Sequence, residues 1–144
     1  MPRVKIELPT VWPFSTELSV RITDVNYGGH AGNDALVGLL HEARLRWIKK
    51  LGFTSELLAP PVGLIMVDLA VRFKAEAGYG DVLTIRIAPQ EATARGFHLV
   101  YQAALSDGRE VVRAQTGFVF FDYDAKRMAS LPPDLLARFE IHPA

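Results

Sequence analysis

An α+β fold, with an antiparallel sheet of about five strands wrapped around one long central helix, is what this chain of 144 residues predicts. Three observations carry that expectation. Thr16 to Thr23 alternates, with Leu18, Val20 and Ile22 on one face and Glu17, Ser19 and Arg21 on the other, the period of a half-buried strand. From Ala35 to Leu51 the apolar residues recur instead at steps of three and four. Four more extended runs follow, with no second long helix among them. One helix with a wide apolar face, beside so many strands, must be enclosed by the sheet.

The elements follow in order. Residues 1–14 contain Pro2, Pro9 and Pro13 and are expected to lie extended over the surface. The helix is carried by Leu36, Leu39, Leu40, Ala43, Trp47 and Ile48, with Arg44, Arg46, Lys49 and Lys50 mostly filling the gaps. Asn33 or Asp34 opens it and Gly52 stops it, and the basic residues near its end complement the helix dipole. A turn-rich stretch from Leu58 to Gly63 precedes the strand Leu64 to Lys74. Gly78-Tyr-Gly-Asp81 separates that strand from Val82 to Ala88. Phe97 to Leu105 and Glu110 to Asp122 then form a pair joined by the hairpin-type turn Ser106-Asp-Gly-Arg109. Pro133 to Phe139 reads as a short closing helix with proline at its start. The sheet face turned away from the helix is left partly apolar, and oligomerisation is expected to cover it.

Composition narrows the function. Apolar residues make up 49% and charged residues 22%, the balance of an ordinary globular domain, and the length fits a single domain over 1–144. Sixteen basic side chains meet sixteen acidic ones, so no global field favours nucleic acid or an anionic membrane surface. Without cysteine there is no disulfide, thiolate metal site or Cys nucleophile. The first residues lack the apolar stretch of a signal peptide, and no run approaches the roughly 20 residues needed to span a bilayer. A cytoplasmic location is the expectation. His30, His41, His98 and His142 show no ligand spacing, so no metal is expected, and no P-loop, dinucleotide fingerprint or nucleophile elbow is present.

Chemistry concentrates in Asp24-Val-Asn-Tyr-Gly-Gly-His-Ala-Gly-Asn33, where a carboxylate, a carboxamide, an imidazole and three glycines fall at a strand-to-helix junction. Helix-terminal N–H groups there can bind developing negative charge, and glycine lets backbone approach a ligand closely.

This segment, running on to Ala35, resembles the acyl thioesterases of the 4-hydroxybenzoyl-CoA thioesterase type, which have the hotdog fold. Their first strand commonly ends Asp-x-Asp-x-x-Gly-His-x-x-Asn before the central helix. The resemblance continues in His41-Glu-Ala-Arg-Leu-Arg-Trp47, in Tyr79-Gly-Asp81, in Ala114-Gln-Thr-Gly-Phe-Val-Phe-Phe-Asp122 and in Leu131-Pro-Pro-Asp-Leu-Leu136. It implies a single hotdog domain and hydrolysis of an acyl-CoA or acyl-carrier-protein thioester, in a homodimer or homotetramer. It implies no cofactor beyond the coenzyme A of the substrate. One position departs from the pattern. Asn26 stands where many members place the catalytic Asp, and a carboxamide serves neither as base nor as nucleophile. Plant acyl-carrier-protein thioesterases, relatives with two such repeats, use an Asn and a His near this position.

Thioester hydrolysis needs a polarised carbonyl, a placed water and an acceptor for its proton. The amides of Gly29, His30 or Ala31 are candidates to polarise the carbonyl. Asn26 is a candidate to hold the water or the thioester oxygen, although Asn also folds onto its own backbone in turns. His30 is the natural general base. Asp24 is expected to orient it, to act as base itself, or simply to cap the turn. Glu42 is a second candidate base. Tyr27 and Asn33 complete the substrate contacts of the segment. Met66, in the apolar strand Leu64 to Leu69, is expected to line the acyl pocket, and Arg72 and Lys74 to meet a nucleotide phosphate of coenzyme A. Two other readings compete: a hotdog-fold enoyl-CoA hydratase, which would need an Asp and a His in a segment like Asp-x-Asn-Pro-x-His, and a non-catalytic domain that binds acyl thioesters.

Overall fold

A computed structural model describes residues 2–139. The elements are β1 (Phe14–Ser19), α1 (Asn33–Lys50), β2 (Val62–Phe73), β3 (Val82–Thr93), β4 (Gly96–Leu105), β5 (Glu110–Asp122), β6 (Arg127–Met128) and α2 (Pro133–Leu136), with single 3-10 turns at Ile22–Asp24 and Ala137–Phe139. All pairings are antiparallel, in the order β1-β3-β4-β5-β2, with β6 added on β5. Among the described residues no helix is long and apolar enough to cross a membrane.

The alternating strand is shorter than its pattern. It ends at Ser19, because Arg21 and Asp24 close a 3-10 turn: the Asp24 carboxylate accepts the Arg21 amide at 2.8 Å and its guanidinium at 3.1 and 3.2 Å. Val20 stays buried, but the turn rotates Ile22 out to 68% exposure. Helix α1 begins on Gly32 as its cap, so Asn33 is its first residue rather than the residue before it. It stops as expected at Gly52, whose φ of +97° only glycine adopts without strain. The Gly52 N–H donates to the Lys49 carbonyl and the Phe53 N–H to that of Ile48, which satisfies the last carbonyls of the helix.

One core joins the helix to the sheet. Leu36, Leu39, Leu40, Ala43, Trp47 and Ile48 of α1 pack in a single cluster with Leu83, Ile85 and Ile87 of β3, Leu99 and Tyr101 of β4, and Val112 and Phe120 of β5. Phe139 closes it from the C-terminal end, stacked on Phe97 at 4.8 Å and edge-on to Trp47 at 5.6 Å between ring centres.

The opposite face of the sheet is partly covered by the chain itself. Arg113 and Arg86 alternate with core residues and so point away from the helix. Arg113 donates to the Ile6 carbonyl at 3.2 Å, Arg86 lies over the Trp12 ring, and Ile6 is buried. The N-terminal segment thus crosses this face, where the sequence pointed only to a second subunit. On the same side Glu110 receives hydrogen bonds from Lys74, Gln102 and Arg113. Burial pushes its carboxyl up, but these three donors outweigh burial and hold it down at about 2.

Sheet order also builds the site. With β2 at one edge and β3 next to the other, the connection Lys74 to Asp81 must pass the ends of the strands between them. On the way it crosses the start of α1, where the Ala31 N–H donates to the Ala77 carbonyl at 2.7 Å.

Two measurements check this packing. Phe97→Ala removes a ring in contact with Trp47, Phe118, Phe120 and Phe139. The expected cost is about 3–5 kcal/mol, read as a fall of roughly 10 °C in Tm. For Glu110 the folded value lies below the ordinary 4.5, so its stabilisation is complete above that pH and is lost as pH falls toward 2. A pH series of Tm should therefore fall less steeply over that window in Glu110→Gln than in the wild type.

Candidate active site

The segment Asp24 to Asn33 folds as a tight loop. Val25 bridges to Ala31, the Asn26 N–H donates to the His30 carbonyl at 2.8 Å, and the Gly29 N–H returns to the Asn26 carbonyl at 3.0 Å. Gly29 has φ +83°, which explains glycine at the crown. The Asn26 side chain takes part: its Oδ1 accepts the Gly28 N–H at 2.9 Å and the His30 N–H at 3.4 Å. The carboxamide oxygen is thus fixed by the turn, and the amide Nδ2 makes no side-chain hydrogen bond among the described residues. Asn26 and Gly28 are exposed, and Tyr27 stands fully in solvent.

His30 projects from this loop with its side chain 44% exposed, and its Nε2 lies 2.9 Å from Glu76 Oε2. Glu76 comes from the crossing connection, held in place by the bond between Ala31 and Ala77. The sequence reading missed Glu76, because nothing near it in the chain points to His30. Of the three amides singled out as carbonyl-polarising donors, that of Ala31 is committed to Ala77, that of Gly29 to Asn26, and that of His30 weakly to the Asn26 side chain. Asn33 turns its side-chain oxygen to the Asp34 amide at 2.9 Å.

Asp24 is not beside His30. It is buried in its own turn with both carboxylate oxygens on Arg21, and these hydrogen bonds lower its pKa. Glu42 is exposed on another side of α1, paired with Arg46 at 3.1 Å. His98 approaches Glu91 at 3.5 Å. His142 lies outside the described residues. Lys74 Nζ is 2.6 Å from Glu110, whereas Arg72 forms no ion pair among the described residues.

Between α1 and β2 lies a cavity of about 260 Å³. Met66 and Leu69 of β2 line one side, and Asp34, Val37 and Gly38 of the first helical turns line another. Asp34 stands four residues after His30, so the lining reaches the start of α1. The inner end of the cavity is polar. Arg44, only 5% exposed, donates to the Tyr101 hydroxyl at 3.3 Å, and that hydroxyl lies 2.8 Å from Thr116 Oγ1. The guanidinium also reaches Glu56 at 3.3 Å and lies over the Phe118 ring. Glu56 in turn is 2.8 Å from His41 Nε2. Burial raises the Tyr101 pKa, which keeps its hydroxyl a neutral hydrogen-bonding group. Arg44 was expected in the gaps of the apolar stripe, yet it sits inside it. Its spacing from Leu40, Trp47 and Ile48 already carries that signal, since residues three and four apart share a helix face.

Comparison with known proteins bears on the fold and the family. In fold the chain is similar to a 1,4-dihydroxy-2-naphthoyl-CoA thioesterase from Synechocystis, at 22% identity and TM-score 0.80, over 88% of this chain and 94% of that one. It is similar to a gentisyl-coenzyme A thioesterase at 22% identity and TM-score 0.78, over 88% and 100% of the two chains. A Staphylococcus aureus protein solved in complex with CoA superposes with TM-score 0.81 at 13% identity, over 92% of this chain and 85% of that one. No curated protein sequence matches the chain. The family model described as the thioesterase-like superfamily matches residues 20–139, from the end of β1 to the last described residue, and the chain belongs to that superfamily.

Proposed function

We infer that this protein is a thioester hydrolase acting on acyl-CoA, a single hotdog domain in which the sheet encloses α1. The observation that carries the reading is the contact between His30 and Glu76, 2.9 Å apart at the opening of α1, on a chain of the thioesterase-like superfamily.

The chemistry runs as follows. The acyl group enters the cavity between α1 and β2, past Met66 and Leu69, so that the thioester carbonyl stays at the mouth. Glu76 accepts a hydrogen bond from His30 Nε2–H and so leaves the Nδ1 lone pair to take a proton from water. The water oxygen attacks the carbonyl carbon, the C–S bond breaks, and the thiolate of coenzyme A takes up a proton as the carboxylic acid departs. Asn26 contributes as a donor: its Oδ1 is anchored in the turn, and its Nδ2 is available to the oxygen that gains charge. A carboxamide in place of the more usual carboxylate therefore assigns the proton to His30 and the oxyanion to Asn26. No resident cofactor is needed. Arg72 is the better placed of the two strand cations for a phosphate of coenzyme A, because Lys74 is shared with Glu110. A carrier-protein thioester is the alternative substrate.

The same reading takes the protein as a homodimer. Strand β2 is twelve residues long, has one edge without a partner strand among the described residues, and exposes Met66, Val67, Leu69 and Phe73. A long apolar edge of this kind supports strand pairing with a second copy. The N-terminal segment across the outer face leaves less of that face for further assembly into a homotetramer. A cytoplasmic setting belongs to the reading.

Thiol release from hexanoyl-CoA, benzoyl-CoA and 4-hydroxybenzoyl-CoA, followed with a chromogenic thiol reagent, tests the assignment. Turnover is expected with at least one ester, falling by about 10²-fold or more in His30→Ala and by about tenfold in Glu76→Gln. Asn26→Ala should lower kcat more than it raises KM. Hydration of crotonyl-CoA without thiol release would move the protein to the hydratases. Binding without turnover would leave it a carrier of acyl thioesters.

A further inference from the structure

Two cavities are each lined in part by β2, one by Met66 and Leu69 and the other by Leu64. The first, of about 260 Å³, is the one lined from Asp34 to Arg44 of α1 and by Met66 and Leu69 of β2. The second, of about 360 Å³, is walled by Glu56, Leu57, Leu64 and Tyr123. Leu64 and Met66, one from each cavity, are two apart on one strand and so face the same way. Between the cavities stands a cluster of charge. The Glu56 carboxylate lines the second cavity, while its Oε1 is held 2.8 Å from His41 and 3.3 Å from Arg44, two residues that line the first.

The backbone of this partition is fixed independently of the carboxylate. The Leu64 N–H donates to the Glu56 carbonyl at 3.0 Å. Gly63 makes room for that approach, since a Cβ there would stand 2.9 Å from the same oxygen. Removing the Glu56 side chain therefore opens the partition without releasing the segment that carries it.

We propose that the Glu56 side chain, clamped by His41 and Arg44, is the wall that sets acyl length and makes the first cavity selective for short or single-ring acyl groups. The proposal rests on the thioesterase reading for its reaction but not for its binding geometry. An alkyl chain that grows past the first cavity must displace water from, and break hydrogen bonds to, a carboxylate and a guanidinium, without offering either a partner. A cavity of about 150 Å³ already holds a benzene ring, so the first cavity suffices for a ring with substituents or a short chain. A dodecanoyl chain needs both cavities.

The experiment compares hexanoyl-CoA and dodecanoyl-CoA on the full chain, by thiol release and by titration calorimetry. The wild type is expected to favour the short ester. Glu56→Ala should raise the dodecanoyl-to-hexanoyl ratio of kcat/KM by about tenfold or more, since each further buried methylene is worth about fourfold. Glu56→Gln, which keeps the volume and the acceptor, should hold the wild-type ratio. Because Glu56→Ala strands a buried cation, Arg44→Met/Glu56→Ala is the companion variant that removes both charges, and it should show the same shift. A wild type that handles both esters equally, or variants whose ratio stays within about twofold of wild type, would overturn the proposal. Should no ester be hydrolysed, the thioesterase reading fails, and the calorimetric ratio alone decides: a gain in dodecanoyl-CoA affinity confined to the two opened variants sustains the wall. Absence of binding to either ester sinks both.

Discussion

Seven of the eighteen residues of α1 are buried against the sheet, and one of the seven is Arg44. A guanidinium taken out of water is tolerable only when its charge and its donors are matched, and everything around it follows that demand. Glu56 supplies the charge, Tyr101 and Thr116 the hydroxyls, and Phe118 a ring face, from two strands and from the turn-rich stretch ahead of β2. The polar floor of the cavity exists because the helix carries this one cation on its apolar stripe. No buried side-chain nitrogen or oxygen among the described residues is left without a partner.

The loop before α1 obeys a different logic. Its own hydrogen bonds give it a closed shape, so it can project side chains into solvent without collapsing onto the core. Asn26 contributes its side-chain oxygen to that shape, while its amide nitrogen makes no hydrogen bond among the described residues. His30 gains its neighbour from a segment more than forty residues away, because the strand order sends the connection between β2 and β3 across the start of the helix. Topology thus joins an imidazole to a carboxylate where no local pattern pairs them. The cavity between α1 and β2 has Asp34, from the first turn of the same helix, in its lining.

How the chain distributes its charges separates structure from function. Asp24 and Glu110 are carboxylates whose hydrogen bonds favour the ionised form, and each closes a piece of architecture: a turn in one case, the outer side of the sheet in the other. Glu76 is the opposite case. It is 74% exposed, and its one ion pair among the described residues is with the His30 ring. Glu56 stands between these two: it grips Arg44 and His41 and also lines the second cavity.

The sequence by itself determined the periodic elements and their order. The alternation of β1, the three-and-four spacing of α1, the stop at Gly52, the hairpin turn at Ser106 to Arg109 and the span of β5 are all local regularities, legible because burial on one face repeats with the period of the backbone. It also located the loop from Asp24 to Asn33 and the strand that lines the cavity. What only the tertiary structure decided was which side chains meet across the chain. Glu76 beside His30, Glu56 on Arg44 and Tyr101 on Thr116 depend on strand order and on the path of two connections. Contacts of that kind leave no periodic trace, because a hydrogen bond between distant residues fixes a distance in space and not a spacing in the sequence.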